Sequence, residues 1–401
     1  MSSFVRKLKH KLYIGLMKVI VILAPGANYM AFTGKGSSQQ LCRHIARIGL
    51  RKVLVVTDKP LRDLGLVDQA VAGLVEAGLD LEFFDGVQPD PTYDQVAAGL
   101  KVLKAHGSEA ILAVGGGSSI DAAKIIAARA TSDEDPKNWV GMGKVRHDAL
   151  PLFAIPTTSG TGSEATMGAV ISDSISHEKG IISGASLGPT AVALDPELLA
   201  GLPKPITAAT GMDALTHGIE AYISVWNRGT SLEHSQAAIK LIFEHLQRAC
   251  EDGSDLEARE AMSIAAYYAG IAINQVNVGN VHAIAHQLGG KYGIPHGLAN
   301  SLVLPQVLEF CIEEAQPRLA ELALLVGAGQ AGESEAQLAR SFIQAVRDLR
   351  QAVGLPETSD KVKAEDYDYL CDLAMKECEG YAVPRLLERD STMKILASIT
   401  E

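Results

Sequence analysis

One part of the chain combines a carboxylate with several histidines at helical spacing. Asp213 and His217 are four residues apart, and so are His282 and His286, while His296 follows a stretch rich in glycine and proline. Side chains four residues apart lie on the same face of a helix. One carboxylate with three imidazoles is a donor set that suits Fe²⁺ or Zn²⁺, and the absence of cysteine argues against a structural zinc site. The sequence therefore predicts a reactive metal centre.

Spacing alone leaves the set of ligands open. His286 could be a ligand because it shares a helical face with His282. His296 could be the ligand instead, because it comes from a separate backbone direction and leaves His286 free to move protons. Without a metal, Asp213 and His217 could form a simple hydrogen-bonded pair within one helix.

Two glycine-rich turns follow predicted strands. The first contains Gly115, Gly116, Gly117 and Ser118 and opens a predicted helix, although its spacing is not GxGxxG. Glycines let a backbone approach a phosphate closely, and a helix N-terminus offers unpaired N–H groups to it. The second turn, residues 156–164, adds hydroxyl groups that suit ribose and phosphate oxygens: Thr157, Thr158, Ser159, Thr161 and Ser163. Either turn alone could be a connection without a ligand, but two of them at the carboxyl ends of strands predict a nucleotide site.

The elements that must hold these residues change in type along the chain. Short apolar runs alternate with helical patterns in the first half, which predicts a mostly parallel sheet flanked by helices. The predicted strands are residues 53–56, 81–84, 110–114 and 152–155, and the helices between them are 67–77, 93–106 and 119–130. Beyond Pro205 the pattern is nearly all helical, over residues 208–225, 231–251, 257–273, 318–326 and 335–353. We therefore expect an α/β dinucleotide-binding domain over residues 28–200 and an all-α metal-binding domain over residues 201–401.

Residues 1–27 predict an amphipathic helical extension. Basic residues occupy one face, and an apolar stripe occupies another: Phe4, Leu8, Leu12, Leu16, Val19 and Leu23. The run is too short and too charged to span a bilayer. It could lie on a membrane surface through residues 1–24, pack on another subunit, or cover its own domain. Because it is far in sequence from every chemical residue, we expect it to serve association rather than catalysis.

The composition excludes several classes of protein. Asp and Glu number 47 against 36 Lys and Arg, and the net charge of −11 disfavours binding to nucleic acid. Hydrophobic residues make up 47%, so the chain is not a disordered one. The five cysteines are scattered and form no CxxC pair, which is typical of reduced thiols in a cytoplasmic protein.

Taken together, these motifs resemble those of the iron-containing (group III) alcohol dehydrogenases, within the dehydroquinate synthase-like superfamily. The resemblance runs from about Phe32 to the end of the chain. It rests on a set of motifs that is specific only in combination: residues 115–118 with Asp121 and Lys124, then residues 157–164, 211–217, 282–290 and 295–297.

The resemblance implies a dehydroquinate synthase-like fold, with the active site in a cleft between the two domains, and a metal-dependent alcohol dehydrogenase or aldehyde reductase. Its metal, Fe²⁺ with Zn²⁺ as the alternative, would be held by Asp213, His217, His282 and His296. His286 would then be the catalytic residue, relaying a proton beside the metal. We prefer this set because it leaves one imidazole unligated.

The resemblance also implies a nicotinamide cofactor. Residues 115–118 would hold the pyrophosphate, while Thr157, Thr158 and Lys179 would approach the nicotinamide and its ribose. Asp58 falls where the adenosine ribose would lie, and a carboxylate there favours NAD over NADP. The predicted cofactor set also includes Asp121, Thr161 and Ser163.

Three departures limit what the resemblance implies about substrate. Residues 1–27 precede the usual start of the family, and Gly168, Ala169 and Ile273 stand where some relatives carry bulkier or aromatic residues. We expect a small alcohol or aldehyde as substrate, in a roomier pocket than that of diol-specific relatives, and a homodimer or larger homo-oligomer. The alternatives are a dehydroquinate synthase-like lyase and a non-enzymatic assembly protein on the same fold.

Overall fold

The first half of the chain builds a parallel sheet. The computed structural model describes residues 3–23, 30–176, 178–227 and 229–401. Its strands are β1 (Ala31–Thr33), β2 (Lys52–Asp58), β3 (Asp80–Val87), β4 (Ala110–Gly115), β5 (Leu152–Pro156), β6 (Gly168–Ser172), β7 (Lys179–Ser183) and β8 (Ala191–Leu194). Within these residues, six strands form one parallel sheet in the order β1-β8-β5-β4-β2-β3, and β6 pairs antiparallel with β7.

The central strands are continuous apolar runs. Residues 53–56 in β2 and 110–114 in β4 are fully buried. Such runs suit parallel strands that are covered on both faces, because no side of the strand meets water. The covering helices are α2 (Ser37–Arg47), α3 (Lys59–Asp63), α4 (Leu66–Glu76), α5 (Tyr93–His106) and α6 (Gly117–Ala130). The sequence therefore predicted β2 to β5 and the helices α4, α5 and α6 between them, whereas the short helix α3 was not predicted.

The order of the strands places two candidate site residues at one point of the sheet. From β2 the chain proceeds outward to β3, whereas from β4 it proceeds in the opposite direction to β5. Open parallel sheets bind ligands at the carboxyl ends of strands where the order reverses in this way. Asp58 ends β2 and Gly115 ends β4, so both lie at this switch point.

The second half of the chain is helical. After α1 (Ser3–Leu23), which precedes the sheet, the remaining helices are α7 (Lys204–Ile223), α8 (Thr230–Glu251), α9 (Leu256–Val276), α10 (Asn280–Tyr292), α11 (His296–Phe310), α12 (Ile312–Leu325), α13 (Glu335–Ala352), α14 (Tyr367–Glu377) and α15 (Arg389–Ser398). The predicted fold class, an α/β region with a parallel sheet followed by a helical region, is confirmed.

Two compact units divide the chain differently from the predicted domains. Counting described residues only, the α/β unit comprises residues 30–202 together with 253–270, and the helical unit comprises those of 3–23, 203–252 and 271–401. The first part of α9 belongs with the sheet because the threonine-rich turn packs on it: a Cβ on Gly162 would lie 2.6 Å from the Cα of Gly270. The predicted boundary at residues 27 and 28 lies outside the described residues.

Helix α1 packs on the helical unit with a face other than the predicted apolar stripe. Ile14 is 5% exposed and lies in an apolar cluster with Trp226. The predicted stripe points away, since Leu8, Leu12 and Leu16 are 49%, 67% and 64% exposed. The other members of that stripe lie outside the described side chains: Phe4, Val19 and Leu23. None of the described helices combines the length and apolar character needed to cross a membrane.

Candidate metal centre and nucleotide loops

Three helices bring four predicted ligands together. Asp213 and His217 lie one turn apart on α7. His282 lies on α10, and His296 is the first residue of α11. Helix α11 can approach α7 closely because Gly297 has no side chain: a Cβ there would lie 2.2 Å from a backbone carbonyl oxygen of α7. The close approach carries His296 to the other ligands.

The ligand atoms of these four residues all lie within 4.8 Å of one another. Asp213 is central, because its Oδ1 atom lies 3.5, 3.9 and 4.0 Å from the Nε2 atoms of His296, His217 and His282. Asp213, His217 and His282 are buried, whereas the side chain of His296 is 35% exposed. Among the described residues this is the one cluster of three or more potential ligands at such distances.

One amide group lies beside three of the four candidate ligands. The amide nitrogen of Asn300, one turn along α11 from His296, donates to Asp213 Oδ1 at 2.6 Å and lies 3.2 Å from the Nε2 atoms of both His282 and His296. One carboxylate and three imidazoles whose ligand atoms lie this close together fit a divalent transition metal.

Glu220 fixes the orientation of one proposed ligand. Its Oε2 atom lies 2.6 Å from Nδ1 of His282, and its carboxylate also accepts hydrogen bonds from the backbone N–H groups of Gly279 and Val281. A hydrogen on Nδ1 leaves the lone pair on Nε2, which is the atom that faces the cluster. The role of Glu220 was not predicted from the sequence, although this residue lies three positions after His217 on the same helix.

Burial dominates the electrostatics of this pair. It raises the pKa of Glu220 to about 8. The hydrogen bonds that Glu220 accepts act to lower this pKa, and the charge of Asp213 acts to raise it further. A cation held by the cluster would favour the ionised carboxylate. Burial also lowers the pKa of His282 well below its usual value, and the neighbouring histidines add to this effect. A neutral imidazole is the form that binds metal.

His286 lies beside the cluster and has its own carboxylate. Its ring centroid is 5.7 Å from that of His282 and 5.3 Å from that of His296. Its Nδ1 atom lies 2.6 Å from Oε1 of Glu377, which also accepts a hydrogen bond from Tyr381. Burial raises the pKa of Glu377, but the hydrogen bond from His286, the charge of that ring and the other donors bring it below its usual value. Glu377 was also missed, because it is 91 residues from His286 in sequence.

The two glycine-rich turns lie against each other. A Cβ on Gly117 would lie 2.7 Å from the side chain of Thr161, and one on Gly116 would lie 3.3 Å from Thr158 Oγ1. The glycines therefore allow the second turn to pack directly on the N-terminus of α6, whose first residue is Gly117. The arrangement gathers helix N–H groups and hydroxyl groups in one place, which suits a phosphate.

Asp121 and Ser163, both in the predicted cofactor set, bond to each other. Asp121 Oδ1 accepts a hydrogen bond of 2.5 Å from Ser163 Oγ, and its Oδ2 accepts one from Val170 N. The fully buried Lys124 donates to Ser163 Oγ and to the carbonyl oxygen of Gly168. These side chains fasten the second turn and β6 to α6.

Two further predicted cofactor residues, Asp58 and Lys179, have side-chain partners within the protein. Asp58 caps α3, because its Oδ1 atom accepts a hydrogen bond of 2.9 Å from Leu61 N. Lys179 begins β7, and its ammonium group lies 2.6 Å from Asp90 Oδ1. Asp58 therefore acts as the N-cap of α3, and its Oδ1 atom is engaged in that bond.

Comparison with known proteins places both halves of the chain in one family. Residues 29–196 match the family described as iron-containing alcohol dehydrogenase, and residues 207–400 match the C-terminal domain of the Fe-containing alcohol dehydrogenase family. The NAD-dependent methanol dehydrogenase of Bacillus methanolicus is 38% identical over 88% of this chain and 93% of its own length. Alcohol dehydrogenase 4 of Schizosaccharomyces pombe is 37% identical over 99% of this chain and 93% of its own length, so it matches the amino-terminal region as well.

Solved structures agree with the sequences. The crystal structure of 1,3-propanediol oxidoreductase superposes with a TM-score of 0.89 at 36% identity, covering 93% of this chain and 99% of that one. The alcohol dehydrogenase from Oenococcus oeni also reaches a TM-score of 0.89, at 33% identity, with 93% and 100% covered. The chain belongs to the iron-containing alcohol dehydrogenase family.

Proposed function

We propose that this protein is a metal- and NAD-dependent alcohol dehydrogenase that moves a hydride between a small primary alcohol and the nicotinamide ring, and reduces the aldehyde in the reverse direction. Family membership fixes the class of enzyme as an oxidoreductase. The observation that carries the proposal is the grouping of Asp213, His217, His282 and His296 within 4.8 Å, with the first three buried. Relatives are named for methanol, 1,3-propanediol and lactaldehyde, which are small molecules, although another relative is named a long-chain-alcohol dehydrogenase.

The four residues would hold Fe²⁺, or alternatively Zn²⁺, which acts as a Lewis acid on an alcohol oxygen. Glu220 would keep His282 in the tautomer that presents Nε2. Asn300 would donate to Asp213 and so hold the carboxylate in place. Three of the ligands are buried, which keeps competing water away from most of the cluster.

His286 would move the alcohol proton. Its Nδ1 atom faces Glu377, so with the hydrogen on Nδ1 the Nε2 atom carries the lone pair that accepts a proton. The carboxylate of Glu377 would stabilise the ring once it becomes positively charged. This division of roles leaves His296 as a metal ligand and His286 as the acid–base group.

The α/β unit would bind NAD. Backbone N–H groups at the start of α6, in Gly117 and Ser118, would receive the pyrophosphate, helped by the partial positive charge of the helix end. Thr157, Thr158 and Thr161 would contribute hydroxyl groups, and Lys179 would approach the nicotinamide ribose. We assign Asp121 and Ser163 the role of fixing the second turn, because both are engaged within the protein.

An absorbance assay tests the proposal. The purified protein, loaded with Fe²⁺ or Zn²⁺ in parallel, is given NAD and a panel of primary alcohols, and NADH is followed. We expect net NADH formation that requires the metal. Lack of net NADH with every alcohol, together with elimination from a phosphorylated substrate, would favour the lyase alternative. Absence of both activities and of metal binding would favour an assembly protein.

Assembly into a homo-oligomer and a cytoplasmic location stay predictions. For helix α1 we propose contact with an anionic membrane surface. Its outward leucines are exposed, Lys9 and Lys11 beside them are exposed, and the first acidic residue of the chain is Asp58. Apolar side chains flanked by lysines, without acidic residues, suit the interface of an anionic bilayer.

A further inference from the structure

One arginine of α1 binds three acceptors in the segment of residues 375–387. The guanidinium group of Arg6 donates from Nη1 to the carbonyl oxygen of Leu387 at 2.6 Å and from Nη2 to that of Met375 at 2.7 Å. Its Nε atom lies 2.6 Å from Oε1 of Glu379. Its side chain is only 15% exposed, although it lies near the beginning of the chain.

Two further contacts attach α1 along its length to the same unit. The Nε2 atom of His10 lies 3.0 Å from the carbonyl oxygen of Tyr381, again within residues 375–387. The indole N–H of Trp226 donates to the carbonyl oxygen of Ile14 at 3.0 Å. These bonds lie on the face opposite the exposed leucines, so α1 is anchored by one side only.

The anchored segment also carries the carboxylate that faces His286. Glu377 is the last residue of α14, and Met375 lies two residues before it. The last carbonyl groups of a helix have no partner within the helix, and a basic side chain can satisfy them. Arg6 does this at Met375, so it fixes the end of α14 where Glu377 lies.

The same segment fixes Glu377 from its other side. The hydroxyl of Tyr381 donates to Glu377 Oε1 at 2.6 Å, and the amide of Gln287 donates to Oε2 at 2.6 Å. His10 holds the backbone of Tyr381, which therefore links α1 to the carboxylate. Hydrogen bonds at both ends of this segment, joined by the backbone of residues 375–387, therefore connect α1 to Nδ1 of His286.

We propose that α1 is a positioning element for His286, and that Arg6 is the positioning residue that sets Glu377 against this ring. The inference rests on the proposed role of His286 as the proton-moving group. It revises the expectation from sequence that the amino-terminal helix serves association alone. The guanidinium group meets its three oxygen acceptors with three different nitrogen atoms held in one plane, whereas the three donors of a lysine ammonium all start from one nitrogen atom.

The first test compares Arg6→Ala and Arg6→Lys with Arg340→Ala, an exposed arginine on α13 of the same unit. In the full-length, metal-loaded enzyme we expect Arg6→Ala to lower kcat by about tenfold or more, since a misplacement of about 1 Å can cost about 10²-fold. Arg6→Lys should recover part of the loss, and Arg340→Ala should match wild type. Metal content should be unchanged in all three.

A second readout does not depend on activity. Hydrogen exchange followed by mass spectrometry should show faster exchange in residues 375–387 of Arg6→Ala, and of Arg6→Lys to a smaller degree, with no change in Arg340→Ala. Wild-type exchange in that segment would overturn the inference even if the enzyme proved to have another activity. Arg6→Lys keeps the test valid if the alanine variant does not fold.

A double-mutant cycle separates positioning from general stability. If Arg6 acts through His286, then Arg6→Ala should cause little further loss of kcat in a His286→Ala background. An additive loss would overturn the inference, because it would show that Arg6 acts by another route. A wild-type rate in His286→Ala alone would instead contradict the proposed proton-moving role, and the exchange result would still report on α1.

Discussion

At the scale of single residues, two histidines that lie four residues apart on one helix each have a carboxylate partner but differ in their relation to the cluster. His282 faces the cluster with Nε2 because Glu220 binds its Nδ1 atom, and His286 is similarly oriented by Glu377. The two rings lie one helical turn apart, yet only His282 belongs to the group of potential ligands. The position of the ring relative to Asp213, and not the kind of hydrogen-bond partner, therefore distinguishes the proposed ligand from the proposed acid–base group.

The first prediction is an asymmetry between two histidine variants. His296→Ala should lose bound metal and activity together, because it removes one of four ligands. His286→Ala should keep its metal and lose mostly kcat, by roughly 10²–10⁴-fold, the usual contribution of general acid–base catalysis. Elemental analysis of both purified proteins checks this. Metal lost from the His286 variant and kept in the His296 variant would reverse the two roles.

The second prediction concerns the partner of a ligand. Glu220→Gln should weaken metal binding by about 10–100-fold, because the amide is a poorer acceptor for the Nδ1 hydrogen of His282. Competition with a chelator measures the affinity. The exposed Glu313→Gln serves as control and should bind like wild type. An unchanged affinity in Glu220→Gln would show that the orientation of His282 does not depend on this carboxylate.

The third prediction separates two roles of Asp58. Asparagine is also a good N-cap, so Asp58→Asn should keep α3 intact while removing the charge that repels a 2′-phosphate. We expect the preference for NAD over NADP, measured as a ratio of kcat/KM values, to fall by about tenfold or more in Asp58→Asn and in Asp58→Gly. A ratio that changes only in the glycine variant would assign the effect to the lost cap.

The sequence predicted a set of candidate metal ligands but not the residues that hydrogen-bond to them. Asp213 and His217 could be predicted as a pair from their spacing on one helix. The resemblance to the family implied that His296 completes the set. Glu220 and Glu377 act on histidines 62 and 91 residues away, and such contacts leave no local pattern. Asp121 and Ser163 were predicted to bind cofactor because their residue types suit it, whereas in the fold they are engaged with each other.

At the scale of elements, the two glycine-rich turns are supported by a cluster of charged side chains between α6 and the second turn. Lys124 is fully buried in α6, and Asp121 and Glu164 lie close to it. Burial raises the pKa of Glu164 to about 7. The folded protein therefore binds a proton at this group more tightly than the unfolded chain, whose pKa is near the ordinary 4.5.

The fourth prediction follows from the sign of that shift. Because the folded state holds more protons between pH 4.5 and about 7, the stability contributed by Glu164 is present below this window and falls as pH rises through it. Glu164→Gln has no such titration. We expect the melting temperature of the variant, relative to wild type, to increase from pH 5 to pH 8. A constant difference across this range would contradict the raised pKa.

Long elements were easier to predict than short ones. The buried run of β4 and the pattern of α13 gave nearly correct bounds, because many side chains define each period. β1 has three residues and β8 has four, too few to show a pattern, and neither was predicted. Helix α12 begins at Ile312, six residues before its predicted start at Arg318, and Pro317 lies inside the helix.

At the scale of the whole molecule, the net charge is negative, but helix α1 is basic. One face of this helix contacts the helical unit, and the other face is exposed. One face is anchored by Arg6, His10 and Ile14 within the helical unit. The other exposes Leu8, Leu12 and Leu16, which the sequence predicted as a single stripe but could not assign to a partner. A periodic pattern tells which residues share a face, and not which of two faces packs inward.

The fifth prediction uses a variant that changes only the outward face: Leu8→Gln, Leu12→Gln and Leu16→Gln combined. Glutamine keeps the helix and the anchored face, so kcat should match wild type. Full burial of a leucine side chain is worth about 1.5–3 kcal/mol, so even partial burial of three leucines should make the triple variant lose about 10²-fold in binding to vesicles that contain phosphatidylserine.

Cosedimentation measures the binding. Vesicles of phosphatidylcholine alone should bind wild type weakly, because they lack the charge that attracts Lys9 and Lys11. If wild type does not bind anionic vesicles and the variant has a smaller mass in solution, the leucines join copies of the chain and the membrane proposal is wrong.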